Sequence, residues 1–176
     1  MRGGNPIRLT SHPGNDVCPV YSNDGRWVYF ASTRTGDYRV WKVPADGGEP
    51  VAVTTGSGHV SEESPDGVWL YFTRNWDIST ELWRVPVRGG TETRVVDSIY
   101  RRAFAITKDG VYYIPAPDHD GATSIRFRSN DGAETNLFEI GMPVSWGLSV
   151  HPDGKRFLYS QYDRNGSDLV LIDNFQ

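Results

Sequence analysis

Two loops of the sequence carry side chains that could ligate a metal ion. Asp118, His119 and Asp120 are consecutive, and neighbours on an extended strand point to opposite faces, so they converge only in a tight loop. The run 163–167 offers oxygen atoms at alternate positions, as a calcium loop does, but its glycine comes too early and Asn174 stands where a bidentate glutamate is needed. We interpret both loops as turns and predict no metal site.

Residue types suited to nucleophilic catalysis are present but poorly arranged. A serine nucleophile needs a strained Gly-x-Ser-x-Gly elbow, and the 176 residues contain none. His59 stands close to Glu62 and Glu63, but the three-residue spacing from His59 to Glu62 separates their faces on a strand. The single cysteine, Cys18, has apolar neighbours and predicts a buried thiol. We therefore predict no catalytic residues and no cofactor.

The elements that must position these residues repeat four times. Four Asp-Gly dipeptides are nearly evenly spaced: they begin at Asp24, Asp66, Asp109 and Asp153, with separations of 42, 43 and 44 residues. Around each dipeptide, four strand-like stretches and a second, Gly-rich turn recur in the same order. Asp-Gly supplies the positive φ angles of a tight hairpin. A period in the low forties with four strands per unit predicts an all-β fold, a β-propeller; a sandwich or irregular barrel is the alternative.

The repeat divides the chain into one opening segment and four blades. Residues 3–10 repeat the pattern of residues 47–54 at an offset of 44, so we predict that residues 1–10 form the outer strand of a blade. The predicted blades span residues 11–54, 55–98, 99–141 and 142–176, and the last of them lacks an outer strand.

The spare strand and the incomplete blade are complementary. Ile7 and Leu9 lie on the spare strand, and Leu169 and Leu171 lie on the strand that needs a partner, so these are the predicted closure residues. Two chains that exchange their N-terminal strands would form a closed eight-bladed ring, and 12% aromatic residues suit the wide gaps between its blades. We expect a homodimer; a compact monomer or a fragment of a longer protein are the alternatives.

Composition limits the other partners. The net charge is −4 and no Lys/Arg cluster is longer than Arg101-Arg102, so we predict no nucleic-acid binding by this segment. No apolar run has the length of a membrane span, and the first 25 residues lack the features of a signal peptide, which favours the cytoplasm and no membrane contact.

Binding specificity in a propeller should reside at its channel, where the strands before each Asp-Gly are expected to lie. Eight residues before each Asp-Gly aspartate stand Asp16, Gly58, Arg101 and Ser145, which differ between blades although the turns do not. With His59, the residue after Gly58, they give four candidate ligand-binding residues at the channel rim: Asp16, His59, Arg101 and Ser145. The alternative is that they are loop residues facing water.

The second unit carries the resemblance to a known family. Its run Ser64-Pro65-Asp66-Gly67, then Leu70-Tyr71-Phe72, then Leu82-Trp83-Arg84-Val85-Pro86 and Gly89-Gly90, resembles the repeat of TolB-like, or WD-repeat-like, β-propellers. The stretch 157–171 resembles the closing blade of bacterial proteins that place such a propeller behind a winged-helix DNA-binding domain.

This resemblance implies a rigid platform for protein or peptide partners. We therefore expect a non-enzymatic binding or scaffolding module. The alternative is an accessory or sensor domain of a larger hydrolase or winged-helix regulator.

Overall fold

The computed structural model describes residues 5–119, 121–163 and 166–172, which form fifteen β-strands in four blades. Blade 1 contains β1 (Asp16–Tyr21), β2 (Trp27–Ser32), β3 (Arg39–Pro44) and β4 (Val51–Ala52). Blade 2 contains β5 (Ser61–Glu63), β6 (Trp69–Thr73), β7 (Ser79–Pro86) and β8 (Thr93–Tyr100). Blade 3 contains β9 (Phe104–Ile106), β10 (Gly110–Tyr113), β11 (Thr123–Ser129) and β12 (Glu134–Ile140). Blade 4 contains β13 (Val144–Val150), β14 (Phe157–Asp163) and β15 (Gly166–Ile172).

Each blade is an antiparallel sheet whose strands follow one another in chain order. Within the described residues, three sheets have four strands and the fourth has three. These four consecutive antiparallel sheets confirm the predicted all-β, blade-by-blade architecture. Residues 5–10 of the opening segment form no strand, and residues 1–4 lie outside the described part of the chain.

The Asp-Gly turns hold the first two strands of a blade together. In blade 1, the Asp24 carboxylate accepts hydrogen bonds from the Ser22 hydroxyl (2.7 Å) and the Arg26 amide (3.0 Å), while Gly25 takes a φ of 69°. A side chain would be strained at that angle, so glycine is required there. Gly67 and Gly154 have φ angles of 68° and 71°, which shows that the same turn recurs in blades 2 and 4.

Apolar side chains fill the gaps between consecutive blades. Tyr29 and Val40 of blade 1 pack against Leu70, Phe72 and Val85 of blade 2, and all five are buried. Equivalent clusters join blade 2 to blade 3 and blade 3 to blade 4. We call the face of a blade toward the next blade its trailing face, and the opposite face its leading face. The clusters of the described residues join no part of blade 4 to blade 1, so the four blades form an open arc.

Because consecutive strands are antiparallel, the loops lie at two opposite ends of the blades, which form the two rims. The turns between first and second strands and between third and fourth strands lie at one end of the blades. The loops between second and third strands, and the connections from one blade to the next, lie at the other end. The first strands β1, β5, β9 and β13 form the inner edge, where β1 approaches β5 and β9 approaches β13.

Candidate ligand-binding site at the channel mouth

Side chains from all four blades meet where the inner edge reaches the rim of the blade connections. Tyr38 of blade 1 contacts His59 with ring centroids 4.8 Å apart, and His59 contacts Trp76 at 4.6 Å. Trp76 reaches Trp146 of blade 4 at 5.4 Å. The guanidinium of Arg101, from the connection between blades 2 and 3, lies 4.3 Å from the Trp146 ring. With Arg102, we call this set the mouth cluster: Tyr38, His59, Trp76, Arg101, Arg102 and Trp146.

The cluster is buried at one end and open at the other. His59 is 5% exposed, whereas Trp76 and Trp146 are 45% and 42% exposed. Large aromatic side chains that are anchored yet half open are typical of recognition surfaces, because they offer contact area at little conformational cost.

Two of the four predicted rim residues belong to this cluster, and two do not. His59 and Arg101 are members. Ser145 is buried, at 7% exposure, next to Trp146 in β13. Asp16 instead forms an ion pair with Arg34 at 3.2 Å.

The Asp16–Arg34 pair has a structural role in blade 1. Arg34 also lies over the rings of Phe30 (5.0 Å) and Trp41 (4.8 Å) on the leading face. Burial opposes ionisation of Asp16, but hydrogen bonds from Ser32, Thr10 and Arg34 outweigh it and lower the pKa of Asp16. Its charge is therefore neutralised within the blade.

Four members of the mouth cluster were missed by the sequence reasoning: Tyr38, Trp76, Arg102 and Trp146. Two of them do have a signal in the repeat, since Arg102 and Trp146 stand seven residues before an Asp-Gly aspartate, as His59 does (109−102, 153−146 and 66−59). Each directly follows a predicted rim residue, Arg101 or Ser145, so a choice of the position seven residues before each aspartate would have included both. Tyr38 and Trp76 lie in loops between second and third strands, at different distances from their dipeptides, so the repeat gives no signal for them.

Cys18 faces His59 across the gap between blades 1 and 2. Its sulfur lies 3.7 Å from Nδ1 of His59, and its backbone takes a φ of 54° at an irregularity in β1. Cys18 is partly exposed, which corrects the prediction of a buried thiol. Burial raises its pKa, with the charge of Arg102 acting in the opposite direction. The thiol is therefore held protonated and is a poor nucleophile.

Glu62 is the middle residue of β5 on the inner edge, three residues after His59. Burial raises the pKa of Glu62 to about 7, although a hydrogen bond from the Ile106 amide and the charge of Arg102 both act to lower it. For His59, burial is the main cause of a lowered pKa, and the charge of Arg102 adds to the effect. Arg102 thus has electrostatic contact with three titratable groups: Cys18, His59 and Glu62.

The loops considered for metals have ordinary turn contacts where they are described. Asp118 accepts a hydrogen bond from the Ala122 amide (2.9 Å) and closes a turn around Gly121. Asp120, Arg164, Asn165 and Asn174 lie outside the described residues. In the remainder, no three His, Cys, Asp or Glu side chains converge as a metal site requires. None of the described residues belongs to a helix long and apolar enough to cross a bilayer.

Comparisons with solved structures define the class of fold. The chain superposes on TolB from Acinetobacter baumannii with a TM-score of 0.71 and 20% identity, covering 94% of this chain and 42% of TolB. A TolB-related protein from Agrobacterium tumefaciens gives a TM-score of 0.66 with 18% identity, covering 87% and 59% of the two chains. A puromycin-hydrolyzing peptidase from Mycobacterium tuberculosis gives 0.71 with 18% identity, covering 91% of this chain and 28% of the peptidase.

The chain therefore has the fold of a TolB-like β-propeller, as its second unit predicted. No family model matches it. Among curated proteins, the uncharacterized protein Atu1656 of Agrobacterium fabrum is 45% identical over 51 residues, which are 29% of this chain and 17% of that protein. The chain thus spans less than two thirds of the length of each of these relatives.

Proposed function

We propose that the chain is a non-enzymatic propeller module that binds a protein or peptide at its channel mouth and completes its ring with a second copy. The observation that carries the binding role is the half-exposed Trp76–Trp146 pair, which joins blades 2 and 4 across the inner edge. Protein-binding hot spots are enriched in Trp, Tyr and Arg, the residue types that dominate the mouth cluster. A cytoplasmic location stays a prediction of the sequence.

A catalytic role has less support from the site. Cys18 and His59 are a nucleophile and a base in proximity, but at 3.7 Å the contact is long for proton transfer, and burial keeps the thiol protonated. A cysteine nucleophile instead needs an environment that lowers its pKa.

The trailing face of blade 4 supports completion of the ring. Leu169 occupies the position of Val40 and Leu82, which are fully buried against the next blade, yet Leu169 is 81% exposed. Leu158 corresponds to Tyr29 and is 45% exposed, whereas Tyr29 is 1% exposed. Because the corresponding positions are covered in these earlier blades, the occupant that fits this face is another blade.

The opening segment supports a second copy as the source of that blade. Leu9 packs against Val28, Phe30 and Val43 on the leading face of blade 1. Val53, 44 residues later, makes the same contact with the leading face of blade 2. Leu9 thus lies where the outer strand of a preceding blade would lie, and in an eight-bladed ring that blade is blade 4 of the partner.

The repeat also fixes the register of the exchanged strand. In blade 1, Val51 of β4 pairs with Lys42 of β3. Ile7 corresponds to Val51 at the offset of 44, and Leu171 corresponds to Lys42 because it pairs with Leu158 as Lys42 pairs with Tyr29. We therefore propose that Ile7 of one chain pairs with Leu171 of its partner.

A second candidate function is a propeller domain within a larger hydrolase or winged-helix regulator. This alternative is favoured by the length of the similar proteins, since the chain covers only 28% of the peptidase and 42% of TolB. In that case further blades of the same polypeptide would cover the trailing face of blade 4.

Solution mass tests the self-completed ring. By light scattering after size-exclusion chromatography, the full chain should have twice the 19.7 kDa of one chain. A variant lacking residues 1–10 should lose the dimer or aggregate, because β15 keeps an unpaired edge. If the truncated protein retains both the mass and the melting temperature of the full chain, strand exchange is wrong.

A further inference from the structure

Two neighbouring arginines at the channel mouth lack acceptors. In the described part of the chain, the exposed guanidinium of Arg102 has no hydrogen bond or ion pair, and Nε of Arg101 is buried with no hydrogen-bond partner. Buried polar atoms are almost always bonded, and an unpaired charged donor is costly. That cost applies to the buried Nε of Arg101, whereas the exposed guanidinium of Arg102 is open to an acceptor from outside these residues.

The backbone holds both arginines in place. Arg101 has a φ of 53°, a left-handed conformation that is uncommon for a residue with a side chain. Its amide donates to the Ile78 carbonyl (2.9 Å), and the Ala103 amide donates to the Tyr100 carbonyl (2.9 Å). These bonds fix the backbone of the tight connection between β8 and β9, from which both arginine side chains extend at the channel mouth.

The tryptophans give the same place an apolar surface, on which the two rings are inclined at 45° to each other. Trp76, Trp146, Arg101 and Arg102 line one narrow cleft together with Val60 and Asn75. Because the cleft is narrow, a ligand would lie over its mouth, on the open sides of the two indoles. Arginine over an aromatic ring also keeps its N–H groups in the guanidinium plane free to bind a planar anion in two places.

Nearby titratable groups leave the arginine charges uncompensated below neutral pH. The thiol of Cys18 is protonated because burial raises its pKa, and burial favours the neutral imidazole of His59 by lowering its pKa. The carboxyl of Glu62 interacts with the charge of Arg102, and it is largely neutral at about pH 6 because burial raises its pKa to about 7. A ligand anion would therefore meet two positive charges at about pH 6 and a competing carboxylate at about pH 8.

We infer that the Arg101–Arg102 connection and the Trp76–Trp146 pair form a binding site for a carboxylate carried by a flat apolar group, such as the terminal carboxylate of a peptide ending in an aromatic residue. The inference rests on the proposed binding role of the channel mouth and names the ligand chemistry for it.

The test uses two probes that differ only in charge, N-acetylphenylalanine and N-acetylphenylalanine amide. Each is titrated into the ¹⁵N-labelled full chain at about pH 6 while the indole N–H signals of Trp76 and Trp146 are followed by NMR. The acid should shift both signals and bind about tenfold or more tightly than the amide, the effect of one charge-assisted contact. Equal affinities for acid and amide, or no shift with either probe, would overturn the inference.

Variants separate the site from general charge effects. Arg102→Gln should remove the preference for the acid, and because Arg102 is exposed the fold should be unaffected. Arg88→Gln, at a turn on the opposite rim, should change nothing. Raising the pH from about 6 to about 8 should weaken binding of the acid severalfold in the wild type but not in Glu62→Gln. Unchanged acid binding by Arg102→Gln contradicts the inference.

These outcomes are independent of the proposed ring. A monomeric mass together with Arg102-dependent binding of the acid would refute strand exchange and retain the carboxylate site. Conversely, a dimer that binds acid and amide equally would retain the ring and reject the site.

Discussion

Replacing Glu62 by glutamine should change the pH dependence of stability. Burial raises the pKa of Glu62 from 4.5 to about 7 in the folded chain. In the unfolded chain this carboxyl regains its ordinary pKa, so the folded state binds the proton more tightly. Its contribution is therefore fully favourable below pH 4.5 and is lost as the pH rises through about 7. The side-chain amide of Glu62→Gln can still accept the hydrogen bond from the Ile106 amide, so the substitution removes only the ionisation.

The size of the effect follows from that pKa difference. At about 1.36 kcal/mol per pKa unit, the rise from 4.5 to about 7 corresponds to at most about 3 kcal/mol of stability. Urea unfolding, followed by tryptophan fluorescence between about pH 4.5 and 8.5, measures it. The gain in unfolding free energy of Glu62→Gln over the wild type should grow by about 3 kcal/mol from the acid to the alkaline end of this range.

Asp24→Asn provides a control, because the pKa of Asp24 is shifted in the opposite direction to that of Glu62. Hydrogen bonds from the Ser22 hydroxyl and from Arg26 lower the pKa of Asp24 to about 2. Its contribution to stability is therefore present above about pH 4 and is lost only as the pH falls toward 2, so this variant should show a constant difference from the wild type between about pH 4.5 and 8.5. If the difference between Glu62→Gln and the wild type is equally constant, the account of a desolvated Glu62 is refuted.

Three further substitutions test the packing of the blades. Glu92→Gln should lower the unfolding free energy by about 3 kcal/mol in urea titrations, because Glu92 pairs with Arg74 at 2.8 Å and both side chains are largely buried. Gly110→Ala should prevent folding or lower the melting temperature several-fold more than Gly67→Ala does, since a Cβ at Gly110 would overlap the backbone oxygen of Arg128, whereas one at Gly67 meets nothing within 4 Å. Thermal unfolding compares the two variants, and equal losses of melting temperature would contradict the geometry. Leu169→Asp should abolish the dimer in light-scattering measurements without lowering the melting temperature of the monomer, because this side chain is 81% exposed within one chain.

The sequence predicted the parts of the structure that depend on local chemistry. The Asp-Gly turns place a positive φ at Gly25 and Gly67, and the aromatic runs after them form β2 and β6, because turn geometry and strand propensity act over a few residues. The offset of 44 also links Leu9 to Val53, and their packing in the structure is equivalent.

The candidate site depends instead on how the blades curve around the inner edge. Trp76 lies in a loop of blade 2 and Trp146 lies in the first strand of blade 4, so the two rings come from positions that are not equivalent in the repeat. Asp16 occupies the repeat position expected at the rim, but Arg34 in the loop between β2 and β3 pairs with it and removes it from the site. Such pairings are set by side-chain reach between elements, which the repeat does not encode.

A disulfide placed across the proposed exchanged pair tests the ring most directly. In a Cys18→Ser background, Ile7→Cys and Leu171→Cys are introduced together and the protein is oxidised under mild conditions. Opposite residues on paired strands have Cβ atoms close enough for a disulfide with little adjustment. Strand exchange predicts a covalent dimer of twice 19.7 kDa on a non-reducing gel, in which the thiol introduced at position 7 of one chain is linked to that at position 171 of the other. A monomer that forms no disulfide, or one that forms it within a single chain, would contradict the two-chain ring.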